Sequence, residues 1–185
     1  MAKETVKNAC FLMAHAKKDW TVFMSAFTID LREIGDALIG AKDRGAKVTL
    51  IVDEVQAKDG HTKYMKDLLV RLIDSGVEVL FQRGGSLAAE YRKIGRNCNV
   101  LGHVHAKSCA VLGPIEKFLI VGSTNWTTAS KGNLEMNVLL ELTEGGALEL
   151  RGRMRFFRSG AKPHEETKVF EEAPSPSVTG SQMSF

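Results

Sequence analysis

A chain of 185 residues, 44% apolar and 25% charged, has the composition of an ordinary soluble protein with room for one domain and its core. The net charge of +3 excludes little: Ala161–Phe185 holds two Lys against four Glu, so the remainder carries about +5, a surplus that permits an anionic ligand without demanding one. Cys10, Cys98 and Cys109 are an odd count without repeated spacing, which argues against a disulfide framework, and the apolar run "ACFLMA" is too short for a secretory core or a membrane span; a soluble, intracellular protein with no integral membrane segment is expected.

In chain order, residues 3–19 carry apolar positions near helical spacing and predict a helix, and "WTVFMSAF" (20–27) follows as a buried strand. In residues 30–47, Leu31, Ile34, Leu38 and Ile39 recur at i, i+3, i+7 and i+8, with Asp30 as the expected N-cap and Gly45 as the stop. "KVTLIVDE" (47–54) is a second buried strand. Residues 62–76 form a helix closed by Gly76, and "VEVLFQR" (77–83) is the third strand. This alternation predicts an α/β fold, a mixed and mostly parallel sheet covered by helices on both faces.

The polar stretch 84–99, with Arg92, Lys93 and Arg96 close together, fits a loop or broken helix near a ligand and fits a solvated connection equally well. "GHVHAKSCAVL" (102–112) and "KFLIVGS" (117–123) flank the turn residues Gly113 and Pro114 and read as a β-hairpin. "LEMNVLLELT" (134–143) is a further strand and 147–159 a last helix, with Leu148, Leu150, Met154 and Phe157 available for the core. Beyond Gly160 the composition turns to Glu, Pro and Ser, so residues 1–160 read as the domain and 161–185 as a disordered acidic tail.

The hairpin holds the chemistry. His103, His105 and Lys107 occupy alternate positions, and residues two apart on a strand share a face about 6.5–7 Å apart. Two imidazoles and an ammonium in a row cost desolvation energy unless something negative faces them. His105 and Lys107 on the first strand, Ser123 and Asn125 after the second, and Glu135 on the next converge at adjacent strand ends. Lys and Asn donate hydrogen bonds to an oxyanion, and a carboxylate fixes the imidazole tautomer that leaves the other nitrogen nucleophilic, so the set suits a phosphate group.

At these residues the chain resembles the phospholipase D superfamily: His105 and Lys107, then Gly122, Ser123 and Asn125, then Asn133 and Glu135 match its ordered signature H-x-K, G-S-x-N and N-x-E. The resemblance spans roughly residues 10–158 and is strongest to single-motif members, the bacterial endonucleases and the mitochondrial cardiolipin hydrolase/Zucchini group. It implies a metal-independent phosphodiesterase without cofactor. His105 attacks phosphorus and forms a phosphohistidine, Lys107, Asn125 and Ser123 cradle the oxygens, and Glu135 orients His105. With one motif per chain it implies a homodimer with a shared active site, the two copies of His105 facing across the axis. One departure stands out: Leu112 occupies the position where the family motif carries Asp, and Glu116 in the longer turn is a candidate substitute.

Three functions follow from this reading: a nuclease acting on DNA or RNA, a lipid hydrolase acting on cardiolipin or phosphatidyl substrates, and a phosphate- or nucleic-acid-binding module that lost turnover with Leu112. Among the other residues, His103 with Cys98 and Cys109 makes a poor metal set, because the spacings are wrong and Lys107 repels a cation, so a rim histidine is expected. Trp126 reads as core ahead of a base-stacking platform. Arg151, Arg153, Arg155 and Arg158 read as a solvated face, and no partner is assigned to His15, His61 or His164.

Overall fold

The computed structural model describes residues 2–59, 63–85, 93 and 102–167. They form α1 (Ala2–His15), β1 (Thr21–Ala26), α2 (Arg32–Asp43), β2 (Lys47–Asp53), α3 (Glu54–Asp59), α4 (Lys63–Asp74), β3 (Glu78–Gln82), β4 (Ser108–Leu112), β5 (Lys117–Gly122), a 3-10 turn (Ala129–Gly132), β6 (Asn137–Glu141), α5 (Glu144–Ser159), β7 (Lys162–Pro163) and α6 (His164–Thr167). Arg92, Arg96, Cys98, His61 and residues 168–185 lie outside the described residues.

The strands make one sheet in the order β6-β5-β4-β1-β2-β3-β7. Only β1–β2 and β2–β3 are parallel; β1–β4, β4–β5, β5–β6 and β3–β7 are antiparallel. The α/β class and the mixed sheet hold, but the sheet is mostly antiparallel where the alternation of elements predicts mostly parallel. Helical crossovers of a dozen residues (α2 and α4) force parallel pairing only among β1, β2 and β3. The Gly113–Glu116 turn joins β4 to β5 too tightly for anything but a hairpin.

Alternation along the strands sorts the core into two layers. Val22, Met24, Leu50, Val52, Phe81, Cys109, Val111 and Ile120 face α1, α2 and α4, where Met13, Leu38, Leu69 and Leu72 meet them. Phe23, Ile51, Leu80, Ala110 and Leu112 face the other way, toward Leu150, Met154 and Phe157 of α5. Each large side chain so buried contributes roughly 1.5–3 kcal/mol relative to exposure. Gly45 and Gly76, at φ 89° and 79°, let the chain turn out of α2 and α4 where a side chain would be strained.

Three local expectations give way to tertiary contacts. Asp30 does not cap α2: Leu31 holds that position without a side-chain bond, while the Asp30 carboxylate accepts from the backbone N and hydroxyl of Thr128 at 2.6 and 3.1 Å. The backbone N–H groups of Asp30 and Leu31 donate to the Trp126 carbonyl, so this junction is stitched to the segment after β5. Helix α3 lies where no helix is predicted, and Asp53 caps it through Gln56 N at 3.0 Å; "DEVQ" is the capping-box pattern that marks this start. Finally, the fold does not stop at Gly160: Pro163 and Lys162 pair with Leu80 and Phe81 on the open edge of β3, and α6 follows. An unpaired edge strand is a ready partner for a short return of chain, which composition alone does not reveal.

No helix among the described residues is long and apolar enough to cross a membrane.

Candidate active site

The register gathers one end of the sheet into a site. Ser25 near the end of β1 pairs with Ser108 at the start of β4, Val121 near the end of β5 pairs with Ser108, and Gly122 pairs with Asn137 at the start of β6. The carboxyl ends of β1, β2 and β5 and the amino ends of β4 and β6 therefore meet, and crevices at carboxyl ends of parallel strands are where open α/β sheets bind ligands.

His105 and Lys107 lie just before β4, in an extended segment outside the sheet pairing, and not on the strand itself. His105 is exposed, and neither of its ring nitrogens has a hydrogen-bond partner among the described residues. Lys107 is 5% exposed; its Nζ donates to the His105 carbonyl at 2.8 Å and stands 5.0 Å from the centre of the Phe27 ring. Burial holds the Lys107 ammonium below its ordinary pKa, and the charge of Glu135 acts the other way.

Glu135 precedes β6 and does not lie on it. Its carboxylate accepts from the hydroxyl of Ser123 and, at 3.2 Å, from the Asn133 side chain. Ser123 in turn accepts from Met136 N at 3.1 Å, and Asn137 brackets Thr124 with two bonds, so the loop after β5 is fastened to the start of β6. This closeness explains Gly122: a Cβ there would sit 2.3 Å from both the Met136 carbonyl and the Asn137 side-chain oxygen. Asn125 is half-buried on a neighbouring cavity of about 310 Å³ that Asn133 and Thr28 also line, and its side-chain oxygen has no partner among the described residues. Ser123 and Glu135 are thus joined by a hydrogen bond, and the charge of Glu135 is felt at Lys107. His105 joins them through Lys107 and Phe27, and Asn125 through the cavity it shares with Asn133.

Two residues that sequence reasoning missed complete the arrangement. The Phe27 ring carries His105 at 4.7 Å and His103 at 5.5 Å, besides Lys107. Asp53, fully buried at the end of β2, accepts from Val104 N at 2.7 Å and from His103 Nδ1 at 3.2 Å. The available signals were an aromatic and an acid directly at the carboxyl ends of two buried strands. Trp126 is core, 1% exposed, its indole N–H donating to the Ser25 carbonyl at 3.1 Å.

Leu112 does not touch this site. Seven residues on from His105, at about 3.3 Å per residue, it lies roughly 23 Å along the chain, buried at the far end of β4 where it pairs with Thr21. Glu116 is exposed in the same distant turn. The acid that meets the adjacent buried cation is Glu144, paired with Lys117, which also donates to the Pro114 and Ile115 carbonyls at 2.9 Å. That pairing holds the Glu144 carboxyl below the usual carboxylate range.

Residues 10–148 match the family model described as cardiolipin synthase, PLD-like domain. Among solved structures the fold is similar to NucT from Helicobacter pylori, at 18% identity and TM-score 0.65, over 88% of this chain and 92% of that one. It is similar too to Nuc from Salmonella typhimurium, described as a phospholipase D family member, at 18% identity and TM-score 0.62 over 85% and 88%. A polyphosphate kinase from Porphyromonas gingivalis matches at 15% identity and TM-score 0.59, over 88% of this chain and 25% of that one. No curated protein matches the chain.

Proposed function

The chain belongs to the phospholipase D-like phosphodiesterase superfamily, and on that premise we propose that it is a metal-independent nuclease working through a phosphohistidine at His105. The observation that carries this reading is the pairing of an exposed imidazole, free at both nitrogens among the described residues, with a buried lysine beside it. A neutral ring nitrogen attacks phosphorus, splitting one difficult displacement into two. Lys107 and Asn125 donate to the non-bridging oxygens as charge gathers there, Lys107 from a desolvated position where each charge-assisted bond counts for more. Glu135 balances the Lys107 charge and, with Ser123, holds the rim of the cradle; its carboxylate is engaged by Ser123 and Asn133 and, among the described residues, not by the His105 ring. The placing of Leu112 far from the reacting groups favours a working enzyme over a binding module.

Nucleic acid is the favoured substrate because the folded part carries the positive balance and the signature resembles the single-motif endonucleases. The test is a panel: single- and double-stranded DNA and RNA on gels, beside liposomes of phosphatidyl lipids and cardiolipin. Cleavage of nucleic acid with intact liposomes is expected. Headgroup release without strand cleavage would overturn the nuclease reading in favour of the lipid hydrolase.

A homodimer is part of the proposal. β6 is an edge strand whose neighbourhood exposes Leu134, Met136, Val138, Leu139 and Leu140 (87, 81, 47, 47 and 41%). An apolar edge beside the site is a liability for a monomer and a natural surface for a twofold contact. Sedimentation is expected to give about twice the chain mass of 20.3 kDa, and Val138→Lys with Leu140→Lys to return it to one copy. A wild-type monomer at micromolar concentration would refute this part.

A further inference from the structure

The chemistry at His105 uses one phosphate, but a nucleic-acid strand continues past it and has to lie somewhere. The cavity of about 310 Å³ beside Asn125 has Thr28, Asp30 and Asn133 in its walls, with Ile29 and Met65, 0 and 2% exposed, as its floor. Among the described residues no lysine or arginine lines it. An apolar floor with amide and hydroxyl walls and no cation suits a sugar or a base, not a second phosphate.

Asp30 is also a wall of a second cavity, of about 200 Å³, which it forms with Arg32, Tyr64, Asp67 and Arg71. Tyr64 directly precedes Met65, so the two cavities adjoin along Asp30 and the first turn of α4 and make one groove leading away from the cradle. The topology places them there. Helix α2 follows the carboxyl end of β1, and α4 follows that of β2 by way of α3, so both first turns open on the end of the sheet that holds the site. The bonds from Thr128 to the Asp30 carboxylate fix the shared wall.

The outer part of the groove carries what holds a single strand. Tyr64 is 73% exposed. One exposed aromatic ring means little by itself, but this one stands on a groove whose other end is lined by Asn125 of the phosphate cradle. Arg71 is paired with Asp36, whereas Arg32 is exposed and has no ion pair among the described residues. Two arginines against Asp30 and Asp67 leave no positive surplus, so this stretch is not built to follow the two phosphate rails of a duplex. It offers a ring for one base, carboxylates for amino groups on a base edge, and one cation for one phosphate. A duplex keeps its bases stacked inside and presents none to Tyr64. Lipid acyl chains would need an apolar mouth, and Ile29, Met65 and Leu68 are at the bottom, the last 6% exposed.

We propose that this groove is a subsite for the strand flanking the scissile phosphate, with Tyr64 as the stacking platform for an unpaired base and Arg32 as the contact to that nucleotide's phosphate. This rests on the nuclease reading above. The nucleoside next to the scissile phosphate occupies the cavity at Asn125, and the following base lies on Tyr64.

A binding measurement tests this without relying on turnover. Fluorescence anisotropy of a labelled oligothymidylate, and of its duplex with oligoadenylate, is followed on the full-length chain carrying His105→Ala. Adding Tyr64→Ala is expected to raise Kd for the single strand about 5- to 150-fold. The slope of log Kd against log salt is expected to stay as it was, since stacking releases no counterions, and Tyr64→Phe to keep the affinity. Arg32→Gln is expected to lower that slope by about 0.7, the share of one single-strand phosphate. Both side chains are exposed, so the variants retain the fold, which their melting temperatures verify. A single-strand Kd unmoved by Tyr64→Ala, or the same loss on strand and duplex, would overturn the proposal. So would cardiolipin vesicles whose binding depends on Tyr64 while strand binding does not. A wild type that binds the strand through Tyr64 but cleaves no phosphodiester in it would instead remove the nuclease reading and leave the subsite standing.

Discussion

His105→Ala is expected to lower hydrolysis of phosphodiesters by at least about 10⁴-fold, on natural and activated substrates alike, while EDTA leaves the wild type untouched. The size follows from what is removed. A nucleophile has no substitute, and removing one member of a concerted catalytic unit costs about as much as removing the whole unit. What remains is the binding and electrostatic help of Lys107 and Asn125. The exposed ring of His105 makes no hydrogen bond within the described residues, so the substitution leaves the fold unstrained and the loss is chemical. Steady-state rates of the pure variant, with circular dichroism to verify folding, measure it. Trapping ³²P-labelled phosphohistidine in wild type and not in the variant would identify the intermediate. Retained turnover in the variant, or loss of wild-type activity with chelator, would remove the basis of the mechanism.

Lys107→Met should cost about 10²–10³-fold in kcat, the range for losing one preorganised donor to a developing oxyanion. Methionine preserves most of the buried stem on Phe27 and removes the charge together with the Nζ donor to the His105 carbonyl. The pH profile carries more information than the rate. Desolvation holds the Lys107 ammonium below its ordinary pKa, so the proton is lost, and activity with it, on the alkaline side at a lower pH than an exposed lysine would give. Glu135 opposes that shift. Neutralising it in Glu135→Gln therefore moves the alkaline limb of kcat/KM further down in pH, and Lys107→Met abolishes the limb. A limb unmoved in Glu135→Gln would show that the carboxylate does not support the lysine charge.

The motifs were enough to point to the phospholipase D-like family, whose model residues 10–148 match. H-x-K, G-S-x-N and N-x-E name residues of fixed type at fixed local spacing, and spacing of that kind survives any arrangement of the helices around it. The buried strands and the helices ended by Gly45 and Gly76 were equally legible, because periodicity and positive φ are local properties. Sheet direction was not, since helical crossovers dictate pairing only among β1, β2 and β3, and the antiparallel half depends on turns and on which edges remain open.

Tertiary structure alone decided who stands next to whom. Asp30 was spelled as a cap and became a stitch to Thr128 because the segment after β5 arrives beside it. The Glu135 carboxylate meets Ser123 and Asn133, and its influence reaches Lys107, since β6 begins two residues later and fastens the loop. Phe27 and Asp53 carry no motif, and they enter the site only because β1 and β2 end beneath the segment that bears His103, His105 and Lys107. The physical reason is the same in each case. Residue type and local spacing set what a group can do, whereas a hydrogen bond or a ring contact reaches only a few ångströms, and those last ångströms are set by the register of strands far apart in the chain.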